Sequence, residues 1–204
     1  MPTVKLTKNE LKKQKDQLKR YTRYLPTLLL KKQQLQMVIR SVSKKAKELR
    51  LKKENHYQQV FSWIDVFGEN SLLGKNEKLE NLIVVDEINR HQGNIAGVNI
   101  PVYDGLKFRD IPYNLIKTPL WIDAAIDALK NIAEMDAEVG ILERQIELLD
   151  HELRITAQRV NLFEKVKIPE TKEQIRKIRI YLGDQQTAAV VRGKIAKNKL
   201  DKVS

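Results

Sequence analysis

The chain has 204 residues, with 38 Lys and Arg against 26 Asp and Glu, three His, no Cys and a formal net charge of +12. The absence of Cys excludes disulfides, iron–sulfur clusters, thiolate zinc sites and Cys nucleophiles, and 8 Gly with 6 Pro are too few for a fold of many short strands. No run of about 18 apolar residues is present to span a bilayer, and Met1–Lys5 lacks the apolar core of a secretory signal. The sequence therefore reads as a soluble, cytosolic protein built as one domain or one elongated unit with an insertion.

The charge is uneven. Residues 1–56 carry a net +13, residues 57–164 a net −8 and residues 165–204 a net +7. If the two basic ends lie side by side, one end of the molecule is strongly positive and the other mildly negative.

From Leu11 to Phe67 apolar residues recur every seven positions. One set is Leu11, Leu18, Leu25, Lys32, Ile39, Ala46, Lys53, Val60 and Phe67; the other is Gln14, Tyr21, Leu28, Leu35, Val42, Leu49, His56 and Trp63. Thirteen of these 17 positions are apolar, the pattern of a long coiled-coil helix. At a helical rise such a segment spans roughly 85 Å. Pro26 lies inside the pattern and removes a backbone donor, so a kink or a late helix start is expected there.

Periodicity stops at Gly68. Residues 68–119 hold five of the eight Gly and three of the six Pro. Leu82–Val85 is a β-prone run, Asn89–Asn94 resembles a turn, and a second extended run goes from Ile95 to Tyr103, together predicting a hairpin. Two strands cannot form a domain alone, so the hairpin must lean on the helices. Its polarity predicts that it projects from them rather than wrapping around them.

Thr118-Pro119 has the chemistry of a helix start. One stripe then runs Ala125, Ile132, Val139, Ile146, Leu153, Val160, and another runs Trp121, Ala128, Met135, Leu142, Leu149, Thr156, Phe163; twelve of the 13 are apolar. Pro169 interrupts the helix, which resumes through Ile175, Ile178, Leu182, Ala189 and Ala196. The organisation that follows is an N-terminal arm over 1–68, a central insert over 69–118 and a C-terminal arm over 119–204 with a kink near Pro169. The predicted fold class is mainly α: a long antiparallel two-helix coiled coil with a small insert containing a short β-hairpin. The C-terminal arm, being longer, extends past its partner at one end. A parallel homodimer is the alternative, and it leaves the second stripe in need of its own partner.

Signatures of catalysis are sparse. Gly68 to Lys75 imitates a phosphate-binding loop, but it has five spacer residues, lacks Ser or Thr after Lys75 and follows a helix; it reads as a helix-terminating turn. His56, His91 and His151 are far apart, and for His56 and His151 a satisfied interface position is favoured over a ligand. Glu134/Asp136/Glu138 and Asp150/Glu152 read as solvated charge rather than an acid–base pair. Two basic clusters stand out: Lys12, Lys13, Lys15, Lys19, Arg20 and Arg23, and then Lys44, Lys45, Lys47, Arg50, Lys52 and Lys53. They are compatible with phosphate binding, but aromatics are only 6% and no recognition module is present. An acidic protein partner is equally compatible.

Several segments carry a resemblance. Arg159-Val160-Asn161 with Leu162 and Glu164, then Ile168-Pro169, Ile175, Ile178 and Leu182, resemble the end of the D subunit of V/A-type rotary ATPases. The Lys/Leu-rich start over Met1–Leu35 is similar to that family as well. So are Ile95-Ala96-Gly97-Val98 with Ile100-Pro101 in the insert, and Arg192, Lys194 and Lys197 near the end. The resemblance covers the whole chain in one order, and Arg159–Pro169 is its most specific part. It implies a non-catalytic central rotor shaft of a proton- or sodium-translocating ATPase or ATP synthase. Such a shaft transmits torque between the catalytic ring of A and B subunits and the membrane rotor. The implied neighbours are the small F subunit at the side and the C subunit that connects to the membrane rotor. The implied location is peripheral, on the cytoplasmic face of the membrane, without insertion and without a cofactor or metal. Partner contacts are then expected at a basic tip (Lys12, Lys13, Lys19, Arg192, Lys194, Lys197) and in the insert (Ile95, Gly97, Val98, Pro101). The other reading is a non-enzymatic coiled-coil adaptor or spacer, with nucleic acid as a possible ligand.

Overall fold

The computed structural model describes residues 5–61, 83–112 and 121–201. In chain order the elements are α1 (Lys8–Phe61), β1 (Ile83–Ile95), β2 (Val98–Asp110), α2 (Ile122–Asn161), a π-helical segment (Leu162–Lys167) and α3 (Ile168–Leu200). The chain divides into two compact units, Met1–Gln33 with Arg154–Ser204, and Gln34–Leu153. Thr118-Pro119, Trp63, Phe67 and the Gly68–Lys75 motif lie outside the described residues.

The start of α1 is set by a local signal, Thr7-Lys8-Asn9-Glu10. The Thr7 Oγ1 accepts the Glu10 backbone N–H at 3.2 Å, satisfying one of the donors that a helix start leaves free. The late start expected at Pro26 does not occur, because α1 carries Pro26 in its interior. An interior proline costs about 3 kcal/mol, but Tyr21, Leu25 and Leu28 around it are all half-buried, and tertiary packing of such a stripe outweighs local propensity.

Both predicted stripes are the inward faces. On α1 every described stripe position is buried or half-buried except His56. Lys32 and Lys53 are half-buried at their stripe positions, which a long cationic side chain tolerates when its aliphatic stem is covered and its ammonium is not. His56 is exposed rather than an interface histidine, and so is His151. The α1 stripe frays in its last turn, where Val60 alone keeps partial cover among Tyr57–Val60. On α2 every stripe position from Trp121 to Val160 is buried or half-buried.

Within the Gln34–Leu153 unit the two helices run antiparallel. Leu35 packs with Leu149, Lys45 Nζ reaches Glu138 at 2.8 Å, Arg50 pairs with Glu143, and Lys53 Nζ reaches Asp136 at 2.5 Å. Partner numbers on α2 fall overall as those on α1 rise, as a one-chain hairpin of helices requires. These exposed ion pairs contribute ~0–1 kcal/mol each, so the stability of the unit comes from the apolar seam.

The hairpin pairs β1 with β2 antiparallel, but its turn is not at Asn89–Asn94. Those residues lie within β1, and the reversal is made by Ala96-Gly97. Ala96 has φ 51 and Gly97 φ 78, the positive pair that a two-residue hairpin turn requires. Asn94 Oδ1 accepts the Gly97 N–H at 3.1 Å, and Asn94 Nδ2 donates to Asn99 Oδ1 at 2.7 Å. Two bulges interrupt the ladder, leaving Asp86 and Asp104 without cross-strand partners. Each is answered by a side chain on the other strand: Arg109 Nη2 to Asp86 at 2.5 Å and His91 Nδ1 to Asp104 Oδ1 at 2.7 Å.

The hairpin leans on the helices, as its strand count demands, but it does not project from them. Ile83 packs on Ile122 and Ile126 at one end. Lys130 Nζ sits 5.7 Å from the Phe108 ring centroid. At the turn end Ile100 is only 2% exposed, inside a cluster with Leu35 and Leu149, with Ile95, Ala96 and Val98 around it. Gln145 Nε2 then donates to the Pro101 carbonyl at 2.5 Å. Thirteen strand residues cover about 43 Å and the helical stretch from Ile122 to Leu149 about 40 Å, so the ribbon lies lengthwise along α2. The expectation of projection rested on average polarity. What decides the placement is the few apolar residues at its two ends.

Candidate partner interface

The unit formed by Met1–Gln33 and Arg154–Ser204 holds 23 Lys and Arg against 7 Asp and Glu, a net of +16. Its helices also run antiparallel: the Tyr21 and Phe163 rings meet at 5.1 Å between centroids, while residues 15–23 of α1 share a groove with residues 172–180 of α3. The buried side chains of α3 are Thr171, Ile175 and Ile178.

That groove has an internal volume of about 730 Å³. Lys15, Lys19 and Arg23 form one bank at four-residue spacing, one above the next on the α1 surface. Lys172, Arg176 and Arg179 form the other, and Leu18, Ile175 and Ile180 line the groove between them. Among the described residues, Arg176 alone of the six cations has an ion-pair partner. Glu173 accepts its Nε and Nη2 at 2.9 and 2.8 Å. The Arg176 hydrogen bonds hold the Glu173 carboxyl below the usual carboxylate range, and Glu173 in turn holds the guanidinium above its ordinary value. A second, smaller basic patch on α1 includes Lys12, Lys13 and Arg20, with Asp16 among them.

The structure thus brings one of the expected tip residues, Lys19, into a two-banked site and leaves Lys12 and Lys13 on an adjoining exposed patch. Arg192, Lys194 and Lys197 are exposed on α3, as is every residue from Ala189 to Leu200. The tip is apolar as well as basic, since Val190, Val191, Ile195 and Leu200 are also exposed there. The grouping of Lys172, Arg176 and Arg179 opposite Lys15 and Arg23 is missed by sequence reasoning. The available signal is the pairing register, which sets Ile175 near Leu18.

The insert residues Ile95, Gly97, Val98 and Pro101 fall in the other unit, around the hairpin turn. Ile95 and Val98 pack on the Leu35–Leu149 cluster, the Pro101 carbonyl is taken by Gln145, and Gly97 is exposed at the turn itself. The second basic cluster is in part answered internally, through Lys45, Arg50 and Lys53 to α2 carboxylates. Asp136 and Glu138 are therefore bridge partners rather than an acid–base pair. The Tyr103 hydroxyl has its pKa pushed up by burial and by Glu134 and Glu138. Among the described residues no group of His, Asp and Glu is placed to hold a metal ion, and no helix is long and apolar enough to cross a membrane.

The family model for the D subunit of ATP synthases matches residues 10–198. The chain belongs to the family of ATP synthase D subunits. A protein of Borreliella burgdorferi named as a V-type ATP synthase D subunit is 50% identical over 99% of this chain and 97% of its own length. Proteins named in the same way from Chlamydia pneumoniae and Chlamydia muridarum are 33% and 34% identical, each over 97% of this chain and 93% and 96% of their own lengths. Membership in this family makes the chain one component of a larger ATP-linked assembly, and the match extends through the basic groove and the exposed end of α3.

Proposed function

We propose that this chain is the central rotor shaft of a V/A-type rotary ATPase or ATP synthase. It carries torque between a catalytic ring of A and B subunits and the membrane rotor and does no chemistry of its own. The small F subunit binds at its side, the C subunit links it to the membrane rotor, and the assembly holds it at the cytoplasmic face of the membrane. The observation that carries this reading is the basic unit formed by both chain ends. It pairs two helices from one chain, carries a net +16, and ends in a single exposed helix bearing Arg192, Lys194 and Lys197. Paired helices resist twisting better than one helix alone. Solvated ion pairs of ~0–1 kcal/mol each attract an acidic sleeve without locking the shaft in one orientation. The two-banked groove adds an apolar strip on which a ring surface can bear.

Co-expression with candidate A and B subunits and isolation of the complex tests this reading. The triple variant R192E/K194E/K197E is expected to dock more weakly and with steeper salt dependence, at unchanged helicity of the isolated chain. Docking and turnover like wild type would make the tip charges bystanders. Duplex DNA binding by the wild type at moderate salt, lost in the same variant, would favour the adaptor reading instead.

A further inference from the structure

Between α2 and α3 the helical path is unbroken, yet its inward stripe slips by one residue. Up to the π-helical segment the covered positions are Thr156, Val160 and Phe163, in the four–three spacing of a coiled coil. Beyond it the buried positions are Thr171, Ile175 and Ile178, with half-buried Ile168 and Leu182 in line with them, again at three and four. From Phe163 to Ile168 is five residues where four belong. The facing stripe of α1, namely Leu11, Gln14, Leu18, Tyr21, Leu25 and Leu28, runs through without any insertion. The second arm therefore carries one residue more than its partner.

In an uninterrupted α-helix, at about 100° per residue, that surplus would turn Lys167, Glu170, Gln174 and Lys177 toward α1 and swing Ile175 and Ile178 out. The π-helical segment prevents this. Ile168 donates its N–H to the Phe163 carbonyl, five residues back, so the wide turn takes up the extra residue. It also suits Pro169, which lacks the N–H and crowds the carbonyl that an α-turn would present. Of the residues Leu162–Lys167 none is fully buried, and only Phe163 and Lys167 are half-buried.

We propose that Leu162–Lys167 is a torsional joint. It is a one-residue surplus held as a wide turn, which keeps the two stripes in phase and opens before the paired turns on either side of it. The motivating facts are the slip in phase, the five-residue hydrogen bond and the thin cover of the segment, in which no side chain is fully buried. The joint stands on the isolated chain and is independent of the rotor reading.

Hydrogen exchange on the full-length protein and deletion of single residues test it together. Amides of 162–168 are expected to exchange at least about tenfold faster than those of 154–160, since local opening follows the stretch with fewest buried contacts. In a Pro169→Ala background, which removes the clash that a plain α-helix would otherwise meet, deleting Glu164 removes the surplus, so both stripes stay inward; fast exchange is lost and the thermal midpoint rises by a few degrees above that of Pro169→Ala alone. Deleting the exposed Glu147 is the control. It leaves Leu149, Leu153, Thr156 and Val160 out of phase if the wide turn closes, and everything on one side of the deletion out of phase if it does not, so the midpoint falls. Uniform protection across 154–168 in the wild type overturns the joint. So does a midpoint that is unchanged or lowered when Glu164 is deleted in the Pro169→Ala background.

Discussion

Replacing Ile100 by Ala isolates what holds the hairpin to the helices. Ile100 is 2% exposed and packs against Leu35 and Leu149, both fully buried. The substitution removes three carbons, about 2.4 kcal/mol at ~0.8 kcal/mol each. A residual cavity between two helices that cannot collapse brings the loss to roughly 3–4 kcal/mol. The contact at the other end, Ile83 on Ile122 and Ile126, is untouched, so the turn end is expected to lift while the strand ends stay. Urea unfolding of the full chain reads the total. Hydrogen exchange then separates the hairpin amides of 95–101 from the helix amides around Ala46 and Leu142. Ile88→Ala, on a side chain 46% exposed, is the comparison and is expected to change stability by less than about 1 kcal/mol. If Ile100→Ala also stays below that value, or leaves protection at 95–101 unchanged, the hairpin is not anchored by this cluster.

Gly97→Ala is expected to lose about 1 kcal/mol, measured by denaturant unfolding. A Cβ there meets nothing within 4 Å, so the whole effect is the backbone strain of φ 78. The Lys53–Asp136 pair predicts an alkaline effect. The Asp136 hydrogen bond raises the Lys53 pKa in the folded state, so the contribution is complete below lysine's ordinary value and is lost as pH rises through the folded one. Asp136→Asn should therefore show a flatter fall in stability than wild type above about pH 10, followed by thermal melts across that range.

Much of this protein is written in local pattern. Two seven-residue stripes name the inward face of both arms because coiled-coil packing depends on spacing along each helix alone. Both stripes are the covered faces, down to single positions such as Leu35, Val139 and Leu149. The identity of the family is legible in the same way, through Arg159–Pro169 and Ile95–Val98. The hairpin turn is less legible. Asn89–Asn94 and Ala96-Gly97 both carry turn residues, and the choice between them depends on which register buries Ile100 beneath Leu35 and Leu149. His56 satisfies the spacing of its stripe and is exposed all the same, since a stripe is buried only where a partner covers it.

The sequence by itself determines that there are two long helices, which face each turns inward and that both ends are basic. Tertiary structure decides where the ribbon lies, which cations share a groove and how the second arm absorbs its extra residue. The reason is physical. Helical phase is a local property, readable from one strand of sequence, whereas the slip between Phe163 and Ile168 has meaning only against the unbroken stripe of α1. The same holds for Lys15, Lys19 and Arg23 facing Lys172, Arg176 and Arg179, residues about 150 positions apart that only the antiparallel register makes neighbours.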